Sequence, residues 1–160
     1  MASKRQQAQR LIRHYREITG IAEVDMGEVV DLALKQGWPL PPPQDPRERL
    51  KQYFSQAARE EVRHDAVTGR PYRANHAIPY KQGQLSLYRW IDIDEAPRIR
   101  MLKAVVMRRE QMLDDGVQLT LDESHWNRIH PEEEPIQVPM DFADDIEWRL
   151  NAPDEREEAA

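Results

Sequence analysis

The apolar positions recur at helical spacing in the first third of the chain. Leu11, Tyr15 and Ile18 mark a helix over about residues 4–19, which Ser3 can cap and Gly20 can stop. A second helix opens at Asp25, with Glu28 three residues on as an acidic form of the capping box. Val29, Val30, Ala33 and Leu34 give it an apolar face, and Gly37 ends it. The run Trp38-Pro39-Leu40-Pro41-Pro42-Pro43 follows. Proline fixes φ and removes amide donors, so this run predicts a stiff connector packed through Trp38 and Leu40. A third helix starts with Asp45 as N-cap, Pro46 in the first position and Glu48 in the third. It is expected to reach Arg63 or His64, with Leu50, Phe54, Ala57 and Ala58 inward and Gln52, Ser55, Gln56, Arg59 and Arg63 outward.

The period then changes. Thr68-Gly69-Arg70-Pro71 signals a turn. Residues 72–80 and 85–93 read as two strands, with a Gly-containing loop at 81–84 between them. Pro79 suits an edge strand. Leu85, Leu87, Ile91 and Ile93 fall on one face of the second strand, Tyr88 and Trp90 on the other. A fourth helix is expected over about 96–114, with Asp94 or Glu95 before it and Ile99, Leu102, Val106 and Leu113 as its inner stripe. A short strand at 117–121 and a brief helix capped by Asp122 follow in this reading. Beyond His130, Pro131, Pro135 and Pro139 interrupt any period. Ile136, Val138, Met140 and Phe142 are spaced to dock an extended arm, and a last short helix is expected over about 141–150. The expected division is a body at 1–115, an acidic arm at 116–150 packed on it, and a disordered tail at 151–160.

Charge adds direction to this picture. The net charge is −6. Residues 1–109 carry 20 Lys/Arg against 13 Asp/Glu, a net of +7; residues 110–160 carry 3 against 16, a net of −13. A basic body with an acidic appendage is a pattern of phosphate-binding proteins and of proteins with interaction tails. The chain has 160 residues and no cysteine, which excludes a disulfide framework, a thiolate zinc site and a cysteine nucleophile. This composition fits a reducing compartment, and a cytoplasmic location is the expectation. No stretch reaches the roughly 18 apolar residues of a membrane helix, and no signal-peptide core follows the basic N-terminus.

Three helices followed by a β-hairpin, over residues 4–93, resemble a winged-helix domain. The fold class expected is therefore α+β and mainly helical, with a long helix and an acidic arm after the wing. The resemblance implies a third helix that enters the major groove and a wing that touches backbone or minor groove. Carried onto this chain, it implies DNA contacts from Gln52, Ser55, Gln56, Arg59 and Arg63 on the helix, and from Arg70, Arg73, Lys81 and Arg89 around the wing. Gln and Arg suit base edges, and Arg and Lys suit phosphates. Tyr88 and Trp90, beside Arg89 and Lys81, are candidates to stack on single-stranded nucleic acid. Two features depart from the pattern. Glu60 and Glu61 sit beside the proposed reading face, and the Pro-rich connector is long for a helix-turn-helix.

Catalytic arrangements are not found. His125 and His130 lack zincin spacing, no phosphate-binding glycine loop or Gly-x-Ser-x-Gly occurs, and Asp92-Asp94-Glu95 reads as the cap of the fourth helix. Asn75 and His76 read as polar residues on an exposed strand face. The expectation is a non-enzymatic DNA-binding protein, a regulator of transcription or the DNA-contacting subunit of a larger assembly, without metal or cofactor. The alternative is an adaptor that binds another protein through its acidic C-terminal segment. A link between the two has the acidic arm folding over the basic face and competing with DNA.

Overall fold

The computed structural model describes residues 2–152. The expected tail therefore lies, beyond Ala152, outside the described residues. The protein is α+β: three helices, a β-hairpin and a long helix in that order. It divides into two compact units, residues 1–53 and 54–160, with the division inside the third helix.

The first unit holds α1 (Lys4–Thr19) and α2 (Met26–Lys35). Ser3 and Gln6 form the full capping box on α1, and Gly20 closes it at φ 70°. Asp25 caps α2 through the N–H groups of Gly27 and Glu28. Glu28 does not complete a box. Its carboxylate accepts instead from the Tyr15 hydroxyl of α1, which raises the Tyr15 pKa above its ordinary value. Leu11 and Tyr15 are half-buried and Val29 is buried, so the two helices meet on their apolar stripes. Trp38 is half-buried, and its N–H is held by Ala33 O at 2.9 Å. Leu40, expected to pack, is exposed.

α3 (Pro46–Glu60) stops three to four residues early. Val62–His64 is a strand, β1, paired antiparallel with β2 (Pro71–Arg73). The turn between them is the expected one. Asp65 accepts from the N–H groups of Val67 and Thr68, which holds its carboxyl below the usual range, and Gly69 sits at φ 70°. β3 (Asn75–Gln82) and β4 (Leu85–Asp92) form a second two-stranded sheet. In this sheet Ala77 faces Trp90 and Pro79 faces Tyr88. The loop is two residues, Gly83-Gln84, rather than four; Gly83 at φ 61° provides the primed turn that matches strand twist. Pro79 is tolerated because both strands of a two-stranded sheet are edges.

α4 is the largest correction. It runs unbroken from Arg98 to Ile129, 32 residues, so the strand at 117–121 and the separate short helix do not form. The physical reason is legible afterwards: no proline lies between Pro97 and Pro131, and one glycine costs a helix only about 1 kcal/mol. The inner stripe is also different. Ala104, 2% exposed, with half-buried Met101 and Met107, faces the hairpin, while Ile99, Leu102, Val106 and Leu113 are exposed. Pro97, not an acid, occupies the N-cap. The extended stretch after α4 runs back along that helix. Asn127 donates to Ile136 O and accepts from Ile136 N–H, both at 2.8 Å, and Glu123 accepts from Val138 N–H. α5 (Ala143–Asn151) ends the described chain.

The core is thin. Among the described residues the buried ones are Val29, Ala74, His76, Ile78 and Ala104. Two glycines test the account with opposite signs. A Cβ on Gly116 would meet only the terminal methyl of Met140, at 2.8 Å, and that methyl can rotate away. Gly116→Ala therefore gains helix propensity and raises stability by up to about 1 kcal/mol. Gly83→Ala has open space but a left-handed backbone, and lowers stability by roughly 1–2 kcal/mol. Urea unfolding of the two variants checks both signs.

Candidate nucleic-acid interface

The local structure around Ala74 decides where the site forms. Ala74 is fully buried between β2 and β3. Its N–H donates to Glu61 O and its carbonyl accepts from Ile93 N–H. The Asn75 amide donates to Ala58 O at 3.2 Å and to the Glu61 carboxylate at 2.7 Å. These bonds tie the C-terminal end of α3 to the first residues of β3 and the last of β4.

Arg63 completes the joint. Its Nη1 and Nη2 bind the two Asp92 oxygens at 2.8 and 2.7 Å, a bidentate fork. Nη1 also reaches Asp94 at 2.8 Å, and Nε and Nη2 reach Glu61. Tyr72 donates its hydroxyl to Asp94 at 3.0 Å. The guanidinium holds the Asp92 carboxyl below its ordinary range, and the carboxylates hold Arg63 protonated beyond its own. Desolvation, then the Asp94 bond, raises the Tyr72 pKa.

Two expectations are corrected here. Arg63 is not on a reading helix, and it is enclosed by three carboxylates. Asp92 and Asp94 hold Arg63 rather than capping α4.

Beside this joint lies a cavity of about 350 Å³. Ser55 and Arg59 of α3 form one side, and Arg73 at the end of β2 forms the rim. Asn75, His76 and Ala77 of β3 and Tyr88 and Trp90 of β4 form the floor. Ala104, Met107, Arg108 and Gln111 of α4 form the far side. Among the described residues three arginines line it, and no acid does. The Arg59 guanidinium lies 5.8 Å from the centre of the Trp90 ring, and it also donates to Gln56 at 2.9 Å. His76 is buried, with Nε2 3.1 Å from Arg73 O. A neutral ring then carries its proton on Nε2 and keeps Nδ1 as an acceptor. Asn75 and His76 are thus joint and floor, not decoration on an exposed face.

The nine residues expected to meet DNA separate into groups. Ser55, Arg59 and Arg73 come together in the cleft. Ser55 is half-buried, inward rather than outward, because α3 turns its Ser55–Ala58 side to the hairpin. Gln52 and Gln56 are exposed, and Gln56 spends its amide on Glu60 and Arg59. Lys81 is exposed near the hairpin tip. Arg70, at the β1–β2 turn, donates to Asn151. Arg89 stacks on Tyr80, 4.3 Å from ring centre, and alternation puts it on the sheet face opposite Tyr88 and Trp90. Arg63 is consumed by its ion pairs.

Sequence reasoning missed Arg108 and Gln111. Their signal was the spacing Ala104–Met107–Arg108–Gln111, a helix face with a small residue at its closest approach. His125 and His130 find partners on their own helix: His125 meets Arg128, and His130 stacks on Trp126.

No family model, curated protein or solved structure matches the chain.

The Arg63–Asp92 pair predicts a pH dependence. Asp92 titrates below the usual carboxylate range in the folded protein. Its stabilisation is complete above that range and fades as pH falls from there through the depressed native value. Asp92→Asn therefore destabilises most at neutral pH, and the difference from the parent shrinks toward about pH 3. Urea melts at the two pH values measure it. An equal difference at both would mean that the fork carries no charge linkage.

Proposed function

We propose that this chain is a non-enzymatic DNA-binding protein, or the DNA-contacting subunit of a larger assembly, that grips phosphate at the cleft between α3, the β3–β4 hairpin and α4. The observation that carries this reading is the convergence of Arg59, Arg73 and Arg108 on a cavity with no acidic lining. Arginine forks match phosphate oxygens, and excess positive charge in a concave site raises local anion concentration. The element order supports a winged-helix type of arrangement, with Lys81 near the tip of the wing. The contact surface differs from that family's usual one, because its arginines come from three elements, Arg59 of α3, Arg73 of β2 and Arg108 of α4, rather than from one reading helix.

A second reading, an adaptor, draws on the C-terminal segment. The faces of Ile146, Trp148 and Leu150 on α5 are exposed, and Trp148 is 71% accessible. Exposed apolar side chains beside Asp144, Asp145 and Glu147 suit a protein partner with a basic rim. Deletion of residues 131–160 separates the two readings, since it removes this surface and spares the cleft.

Binding through the cleft depends steeply on salt, because each neutralised phosphate releases counterions. The triple variant Arg59→Ala/Arg73→Ala/Arg108→Ala is expected to lose affinity. It should also flatten the slope of log K against log salt by about 2 to 3, the slope being roughly 0.7–0.9 per phosphate contact. Fluorescence polarisation from low to physiological salt measures both. An unchanged slope removes the cleft from the interface.

A further inference from the structure

We infer that the cleft takes single-stranded DNA in preference to duplex, with bases stacked on Trp90 and Tyr88 and the adjoining phosphates on the arginines. This rests on the DNA-binding reading and specifies its ligand. Three observations carry it. Tyr88 and Trp90 are two apart on β4, so they share one sheet face and stand about 7 Å apart along it. Both line the cavity, and Tyr88 is 64% exposed, so its ring is open to a ligand. The Arg59 guanidinium lies over the Trp90 ring, 5.8 Å from its centre, so a cation shares that aromatic face and leaves Tyr88 as the more open ring. Aromatic faces with interleaved cations hold unpaired bases without regard to sequence.

The same geometry disfavours a duplex. A cavity of about 350 Å³ admits a base with its phosphate but not the body of a double helix. The helix that would read a major groove is poorly equipped for it. Arg63 lies beyond its end, in β1, and the Gln56 amide is tied to Glu60 and Arg59, so it is not free to fork onto adenine. Glu60, exposed on the same helix, repels backbone phosphate.

The test uses the full chain and a labelled random-sequence strand of about 12 nucleotides, inside the 4–16-nucleotide range of such sites, alone and annealed to its complement. Fluorescence polarisation is expected to give at least tenfold tighter binding to the single strand. Tyr88→Ala, at an exposed position, should weaken single-strand binding about tenfold and leave the salt slope unchanged, because the ring carries no charge. Trp90→Leu should weaken it similarly, and Trp90→Phe should restore most of the loss. Equal or tighter duplex binding overturns this inference, and so does single-strand binding indifferent to Tyr88→Ala and Trp90→Leu. If either of those results comes with a slope that the triple arginine variant still flattens, the DNA-binding reading survives alone. No binding of either probe at low salt overturns both.

Discussion

Arg63 is gripped by carboxylates from two places in the chain, Glu61 two residues before it and Asp92 and Asp94 at the far end of the hairpin. That clamp fixes the exit of β4 against the strand that follows α3. Ala74 supplies the backbone half of the same joint through Glu61 and Ile93, and Asn75 ties it to the last turn of α3. With α3 and the hairpin held at one end, the Arg59 side chain comes over Trp90 and Arg73 comes to the rim. A residue that reads in the sequence as one more surface cation therefore helps bring Arg59 and Arg73 to one cleft. The Arg63 charge is spent on this joint, and the joint gives the cleft its shape.

The rest of this unit has little else to fix it. The buried side chains of the second unit are small or medium: Ala74, His76, Ile78 and Ala104. A two-stranded hairpin is marginal alone and needs a packing partner. Here α4 supplies it by laying Ala104 against β3, with the Lys103 ammonium on Pro79 O. An alanine at the closest approach brings the helix near enough for Met107, Arg108 and Gln111 to reach the hairpin face. A leucine in that place would hold the helix off and open the cleft. The cavity is thus bounded by α4, which packs on β3, and by the last turns of α3, which reach it through Ser55 and Arg59.

Much of this was legible in the chain. The caps at Ser3 and Asp25, the stops at Gly20 and Gly37, the Asp45-Pro46 start and the turn of the hairpin all follow from local chemistry, whereas Gly116 does not stop α4 and residues 71–73 pair with β1 instead of extending the hairpin. What failed depends on distant partners. The end of α3 was placed too late because Arg63 continues a helical period, whereas its three carboxylates, two of them some thirty residues away, draw it into a strand. The inner stripe of α4 was chosen by hydrophobicity, and the largest apolar residues were preferred to Ala104. Where one helix meets a narrow sheet, closeness matters more than the area each residue buries, and the small residue wins. Of the candidate site, Ser55, Arg59 and Arg73 could be named from sequence, as could the Tyr88–Trp90 platform. Arg108 and Gln111 could not, because the larger apolar residues of α4 point to a different face as the inner one.

The acidic segment is the remaining question, since folding it over the arginines would neutralise them. α4 argues against this for residues 136–142. The arm runs along the side of the helix that carries Met112, Leu113, Gly116, Val117 and Thr120. The cleft uses Ala104, Met107, Arg108 and Gln111. At about 100° per residue these are opposite sides of one helix. The arm is anchored there by backbone bonds to Asn127 and Glu123 and by the close passage of Met140 over Gly116, contacts with no counterpart on the cleft side. A long helix with two unlike faces therefore sets residues 136–142 on the side away from the cleft.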